Sequence, residues 1–338
     1  MKAVGYRRAL PIDNPASLID VELPEPQLQA RDVLVEVSAV SVNPVDTKVR
    51  QSLNPEAGAT KVLGWDAAGV VRAVGAEVTL FRPGDNVWYA GSIARPGTNS
   101  ELHVVDERIV GKMPQSLSYE QAAALPLTTI TAWELLFDRL EISRNPHSQG
   151  KSLLVIGAAG GVGSILVQLA RKLTGVQVIA SAARPESIEW VRARGAHEVI
   201  DHRKPITEEL GRIGVPAVNY VASLTHTADH FPQIVDALAP QGKLAVIDDP
   251  AVSLDTNLLK PKSASLHWEF MFTRSLFATP DMIAQYELLN EVAGLVDQGV
   301  LVSTVTENYG TINAANLRRA HAQIESGTAV GKIVLAGF

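Results

Sequence analysis

SLLVIGAAGGVGSILVQLA, residues 152–170, has no charged side chain and gathers Gly157, Gly160, Gly161 and Gly163 near its centre. By length it is the chain's transmembrane candidate. The glycines, the internal Gln168 and the lack of a flanking aromatic belt argue against that reading. SLLVIG is a short apolar run of the kind that forms a buried parallel strand. VGSILVQLARKL places Val162, Ile165, Leu166, Leu169 and Leu173 at helical spacing. The stretch therefore reads as strand, tight glycine turn, helix.

A turn of that kind suits a phosphate group. In Ala158-x-Gly160-x-x-Gly163, with Gly161 and Val162 completing it, small residues let a backbone approach a pyrophosphate. The helix start offers free N–H groups and partial positive charge. The bland alternative is a tight strand–helix turn with no ligand. About twenty residues on, NAD sites carry an acid for the ribose 2′-hydroxyl. Here the second strand ends Ser181-Ala182-Ala183-Arg184-Pro185, with no acid. A guanidinium can grip a 2′-phosphate that an acid would repel. Ser181 and Arg184 therefore point to NADPH, unless Arg184 is only a solvated first-turn residue. Glu186 reads as a first-turn acid favoured by the helix dipole. Ile247, which ends the strand in GKLAVID, joins the expected cofactor-binding set.

The rest of the chain fits around this unit. Its 338 residues suggest two domains, and 46% hydrophobic content supports two cores. DVLVEVSAVSVN (32–43), AAGVVRAVG (67–75), NVWYAG (86–91) and ELHVV (101–105) read as short strands separated by turns such as FRPGD. Together they suggest a small barrel-like β unit. Ser118 and Gln121 form a capping-box signature ahead of a helix running to about Leu140, interrupted by Pro126. From 151 to about 265, apolar strands alternate with helical patterns, as in a doubly wound parallel sheet. Helical patterns recur at 280–298 and 313–325, and GKIVLAGF (331–338) is a closing strand. The expected division is 126–265 for the nucleotide-type domain, with 1–125 and 266–338 forming the other.

Net charge is −6, from 30 basic and 36 acidic residues, and no segment concentrates Lys or Arg. Nucleic acid and anionic membranes are not expected partners. MKAVGYRRALPID has no apolar signal core, so a cytoplasmic location is expected. With no cysteine, disulfides and thiolate metal sites are excluded.

SVNPVDTKVR (41–50), LGWDAAGVV (63–71), PGDNVW (83–88), ALPLTTITAW (124–133), GAAGGVG (157–163) and GKIVLAGF together resemble the medium-chain dehydrogenases/reductases, in the zinc-free, quinone-oxidoreductase-like branch often labelled zinc-type alcohol dehydrogenase-like. The resemblance implies an α/β protein with a GroES-like β-barrel catalytic domain and a Rossmann domain. It also implies a substrate cleft and a homodimer. Zinc members of the family carry Cys where this chain has Asn43 and Gly-His-Glu where it has Gly64-Trp65-Asp66. Their third ligand falls near Leu127. No metal site is therefore expected, although His226 and His230 are spaced i, i+4.

Without a metal, hydrogen bonds must stabilise a substrate oxygen that gains charge. Quinones and enones spread that charge, which favours their reduction over alcohol oxidation. Asn43, Lys48, Tyr89 and Thr131 are the candidate donors, Asn43 foremost because of its place. Asp46 belongs to the same loop and is also read as bracing it. Trp65 is read as a pocket wall or a core aromatic. Phe270, Met271 and Phe272 are read as pocket or interface residues, or as plain core. Lys332 stands near where zinc-containing relatives place a phosphate-binding Arg. The competing readings are a zinc alcohol dehydrogenase and a non-catalytic NADPH-binding sensor of the same fold.

Overall fold

SLLVI folds as the strand Ser152–Ile156, buried along its whole length. In the computed structural model, which describes residues 1–144 and 148–338, it lies inside a six-stranded sheet. The order is Glu198–Ile200, Gln177–Ser181, Ser152–Ile156, Val218–Ser223, Leu238–Val246 and Ser265–Trp268, every neighbouring pair parallel. The chain first builds outward on one side and then crosses to the other. The order therefore reverses between Ser152–Ile156 and Val218–Ser223, the place where open parallel sheets bind ligands.

Burial on both faces explains the uninterrupted apolar strands. Leu154 lies opposite Ile179 on one neighbour and Val221 on the other. All three belong to a core shared with Phe231, Ile234, Leu244 and Val246. Truncating a buried Leu of this kind costs about 2–5 kcal/mol. The helix Gly161–Leu173 buries Ile165, Leu166, Val167 and Leu169 and ends on Arg171 and Lys172, which complement its dipole. This sheet belongs to one of two units, Thr131–Met271.

The other unit comprises Met1–Ile130 and Phe272–Phe338. Its hub is the strand Asp32–Val42. That strand pairs antiparallel with Ala67–Val74, Leu102–Asp106 and Lys332–Ala336. Register shifts at Leu34/Val35 and Val37/Ala39 let one strand bend through several partners. The sheet continues through Asn86–Tyr89 to Val110–Lys112, with Val305–Asn308 at its other edge. A smaller sheet pairs Lys2–Tyr6 with Ile19–Glu22 and Lys61–Val62.

Two elements depart from expectation. LHWEFMFTRSLF supplies the outermost parallel strand, Ser265–Trp268, and then a helix, Thr273–Phe277. Aromatic residues favour an extended chain, and here Trp268 points out, Glu269 in and Phe270 out. Met271 and Phe272 are buried, whereas Phe270 is 46% exposed. The helix expected through Leu140 is three pieces. Tyr119–Ala123, capped by Ser118 and Gln121 as expected, is followed by Pro126–Trp133 and a π-helical turn, Glu134–Arg139.

Candidate functional site

The glycine turn and the ends of the neighbouring strands make the first candidate region. Gly157 has φ +78°, where a side chain would be strained. A Cβ on Gly163 would lie 2.5 Å from the Ala158 backbone, so the helix rests directly on the turn. Gly160 differs. A Cβ there would meet only the Gly157 carbonyl, at 3.5 Å, and no side chain caps the helix that Gly160 begins. Helical geometry leaves the N–H groups of Gly161, Val162 and Gly163 without intrahelical acceptors. These features fit a dinucleotide phosphate.

Sheet register brings the other expected residues to the same edge. Ser223 lies opposite Ile156 and Val246, which places Ile247 one residue beyond. Ser181 accepts a hydrogen bond from the Gly157 N–H at 3.1 Å, so its hydroxyl braces the turn. Arg184 begins the helix Pro185–Arg194 and is paired with Glu186 at 3.3 Å, its side chain 41% exposed. His226, in left-handed conformation, precedes the helix Thr227–Ala237, and the His230 ring meets His202 edge-on at 6.5 Å. Thr131, expected among the donors, is buried in this unit.

The second region is a buried polar cluster in the other unit. Asn43 begins the helix Pro44–Ser52, and Asp46 reaches back to accept its backbone N–H at 2.7 Å. The Asn43 amide nitrogen donates to Asp66 Oδ2 at 2.8 Å and, at 3.4 Å, to the Trp65 carbonyl. Asp66 also accepts from Ser41 Oγ and from the Leu127 N–H. Lys332 Nζ donates to the Val42 carbonyl, Asn43 Oδ1 and Asp66 Oδ2, which uses all three ammonium protons.

Burial dominates the electrostatics of this cluster. It pushes Asp46 up to about 7, against the Asn43 N–H bond and the Lys332 charge. It raises Asp66 as well, against Lys332 and its donors, and lowers Lys332, against Asp66. Asp46 Oδ1 is buried without a hydrogen-bond partner. Two carboxylates and one ammonium thus share a dry site that favours one extra proton.

Several expectations change here. Asn43 is 1% exposed with both ends of its amide engaged, so it is spent on the cluster rather than offered to a substrate. Lys332, expected on the cofactor, is buried and committed to Asp66 at 3.2 Å. Tyr89 is buried too. His103 Nε2 faces the Pro96 carbonyl, which can only accept, so Nδ1 must accept the Tyr89 hydroxyl proton. That proton is unavailable to a substrate. Trp65 is fully buried, donates to the Ser92 carbonyl and meets Phe272 edge-on, as a core aromatic does. Lys48 is exposed on its helix.

Asp66 and His103 were not among the expected site residues. The available signal was one acid within LGWDAAGVV and one base within GKIVLAGF, opposite charges in two apolar segments. A further buried group, in the unit with the parallel sheet, was also not foreseen. Arg139 donates to Glu269 at 2.8 Å and lies 3.9 Å from Glu134. Burial and then Glu134 push Glu269 up to about 9.

Zinc does not fit the place where its ligands would stand. An amide and an indole are poor substitutes for thiolate and imidazole, and one carboxylate alone does not make a zinc site. The amide oxygen and the carboxylate already hold an ammonium. Among the described residues no three His, Cys, Asp or Glu group as metal ligands.

The family model described as alcohol dehydrogenase GroES-like domain matches residues 29–115, and that described as zinc-binding dehydrogenase matches 194–335. A zinc-type alcohol dehydrogenase-like protein of Staphylococcus aureus (strain MSSA476) is 38% identical over 336 residues, 99% of each chain. A quinone oxidoreductase of Pseudomonas aeruginosa is 31% identical over 309 residues, 90% of this chain and 91% of that one. Among solved structures, a Rhizobium etli CFN 42 protein provisionally called a zinc-dependent alcohol dehydrogenase is 56% identical, with TM-score 0.97 over 100% of this chain and 98% of that one. Escherichia coli quinone oxidoreductase complexed with NADPH is 26% identical, with TM-score 0.84 over 99% of this chain and 100% of that one. The chain belongs to the medium-chain dehydrogenase/reductase superfamily, in its quinone-oxidoreductase-like branch.

Proposed function

We propose that the protein is a metal-independent, NADPH-dependent reductase of quinones or α,β-unsaturated carbonyls. The observation that carries the metal-independent part is the Lys332 ammonium held between Asn43 and Asp66. A charge that zinc supplies in zinc-containing members has a built-in organic counterpart here, already neutralised by Asp66. It leaves no Lewis acid for a substrate oxygen.

The chemistry a bound nicotinamide supplies is hydride donation. The chain's own part is to hold and orient. The uncapped helix start after Gly160 binds the pyrophosphate, and Arg184 binds the 2′-phosphate in exchange for Glu186. Asn43, Asp46, Asp66 and Lys332 fix the loop at 43–46 and, through Leu127, the start of the helix Pro126–Trp133. Lys48 and Thr131 remain the candidate donors to the substrate. A conjugated acceptor needs little such help, because its own π system spreads the added charge.

Trp268 and Phe270 stand exposed at the outer edge of the parallel sheet, which suits pairing with a second copy in a homodimer. Among the described residues no helix is long and apolar enough to cross a membrane, in keeping with the proposed cytoplasmic location.

The test is steady-state oxidation of NADPH and NADH against a panel of quinones, enones and simple ketones, before and after dialysis against a strong chelator. Turnover of quinones or enones with NADPH, unchanged by the chelator, is expected. Loss of activity together with a stoichiometric zinc would establish the zinc alcohol dehydrogenase reading. Tight NADPH binding with no turnover of any acceptor would leave a sensor.

A further inference from the structure

We propose that Arg203 is a second guanidinium at the cofactor's 2′-phosphate, acting beside Arg184 to set the preference for the phosphorylated dinucleotide. The inference rests on the NADPH reading and extends it to a residue on the neighbouring strand end. Ser181 lies opposite Ile200, and the Ala182 N–H donates to the Ile200 carbonyl at 2.9 Å. The segments following these two strands therefore leave the sheet side by side. Arg203 reaches across from one to the other. Its Nη2 donates to the Ala183 carbonyl at 3.2 Å, the backbone group immediately before Arg184.

A solvated surface arginine would sample many rotamers. This one is held along its Nε–Nη2 edge. Nε donates to Asp201 Oδ1 at 2.9 Å and Nη2 to Asp201 Oδ2 at 2.7 Å, in addition to the Ala183 bond. Nη1 has no partner among the described residues, and the side chain is 65% exposed. A guanidinium held through Nε and both Nη2 protons, with Nη1 still open, can meet a phosphate oxygen with little further ordering. Asp201, the acid ending this strand, would repel a phosphate if bare. The same guanidinium neutralises it. A 2′-phosphate, with nearly two negative charges, can draw Arg184 from Glu186 and share Arg203 with Asp201.

The test is fluorescence titration of the full-length protein with NADPH and with NADH. Arg203→Ala is expected to weaken NADPH about five- to tenfold and to leave NADH within about twofold, as for a partly exposed charge-assisted pair. Arg203→Lys should recover only part of the loss, since it keeps the charge and not the fork. Because Arg203→Ala also bares Asp201, the substitution is repeated with Asp201→Asn already present. A selective NADPH loss that persists there supports direct contact. A loss that vanishes there, falls equally on both cofactors or does not occur in either background overturns the inference. A wild-type protein that binds both cofactors alike, and an Arg184→Ala variant no different from it, would instead overturn the NADPH reading itself.

Discussion

The glycine turn and the Asn43–Asp66–Lys332 cluster are built on opposite plans. The turn works through backbone. Its parts are consecutive, from Gly157 to Gly163, and their value lies in side chains they lack. The cluster works through side chains drawn from Ser41, Asn43, Asp46, Asp66 and Lys332, nearly the length of the chain apart. One stores its specificity in space left open. The other stores it in charges that only the fold can neutralise. The two regions should therefore fail differently when a single residue is changed.

The largest effect is expected at Lys332. Replacing it by Met leaves Asp66 buried with no cation, beside an already protonated-leaning Asp46. Breaking a buried pair from one side costs about 3–5 kcal/mol, read as a lower urea midpoint at an unchanged slope. Adding Asp66→Leu to Lys332→Met removes the orphaned charge and should recover most of the loss. If the single variant is as stable as the wild type, the cluster is not a tightly held ion pair.

At the turn, two glycines three residues apart separate packing from ligand space. Gly163→Ala drives a methyl into the Ala158 backbone and should cost about 1–3 kcal/mol of stability, as overpacking does. Gly160→Ala meets no such wall and has an ordinary φ of −72°. Its stability should be close to wild type, whereas dinucleotide affinity falls because the methyl enters the space proposed for the pyrophosphate. Chemical denaturation and cofactor titration of both variants read the contrast. Equal affinity for wild type and Gly160→Ala would show that the open side of Gly160 is not the ligand's.

The same contrast governs what could be read in advance. The turn was legible because strand, small residues and helix follow one another in a fixed order. The capping box at Ser118 and Gln121 was legible for the same reason. Ser265–Trp268 was obscured by its aromatic density, which suits a pocket as well as an exposed sheet edge. Asn43 was drawn to the right place and given the wrong partner. Nothing within SVNPVDTKVR reveals that its amide faces a lysine 289 residues away. Tyr89 was misread likewise, since its acceptor His103 lies on another strand.

The pH dependence separates the two units again, through raised acids: Asp46 and Asp66 in one, Glu269 in the other. Burial lifts Asp46 to about 7 and Glu269 to about 9. In the unfolded chain both titrate near the usual carboxylate range, about 4. Between that value and the folded one, the native state binds the extra proton. Stability from such a group is therefore full below about pH 4 and is lost as pH rises through its folded value. Lys332, lowered by burial, acts in the opposite sense at higher pH, and Asp66 faces the same site. Differences against variants isolate each acid. Asp46→Asn should remove a decline that ends near pH 7, worth at most about 1.4 kcal/mol per pH unit. Glu269→Gln should remove one that continues to near pH 9, with Arg139 left to a neutral partner. Unfolding free energies measured from pH 5 to 9 for the three proteins would show the wild type converging on the Asp46→Asn slope near neutrality while still diverging from Glu269→Gln. If instead both variants lose the same slope over the same range, the two acids do not titrate at the distinct raised values of about 7 and about 9, and the contrast between them fails.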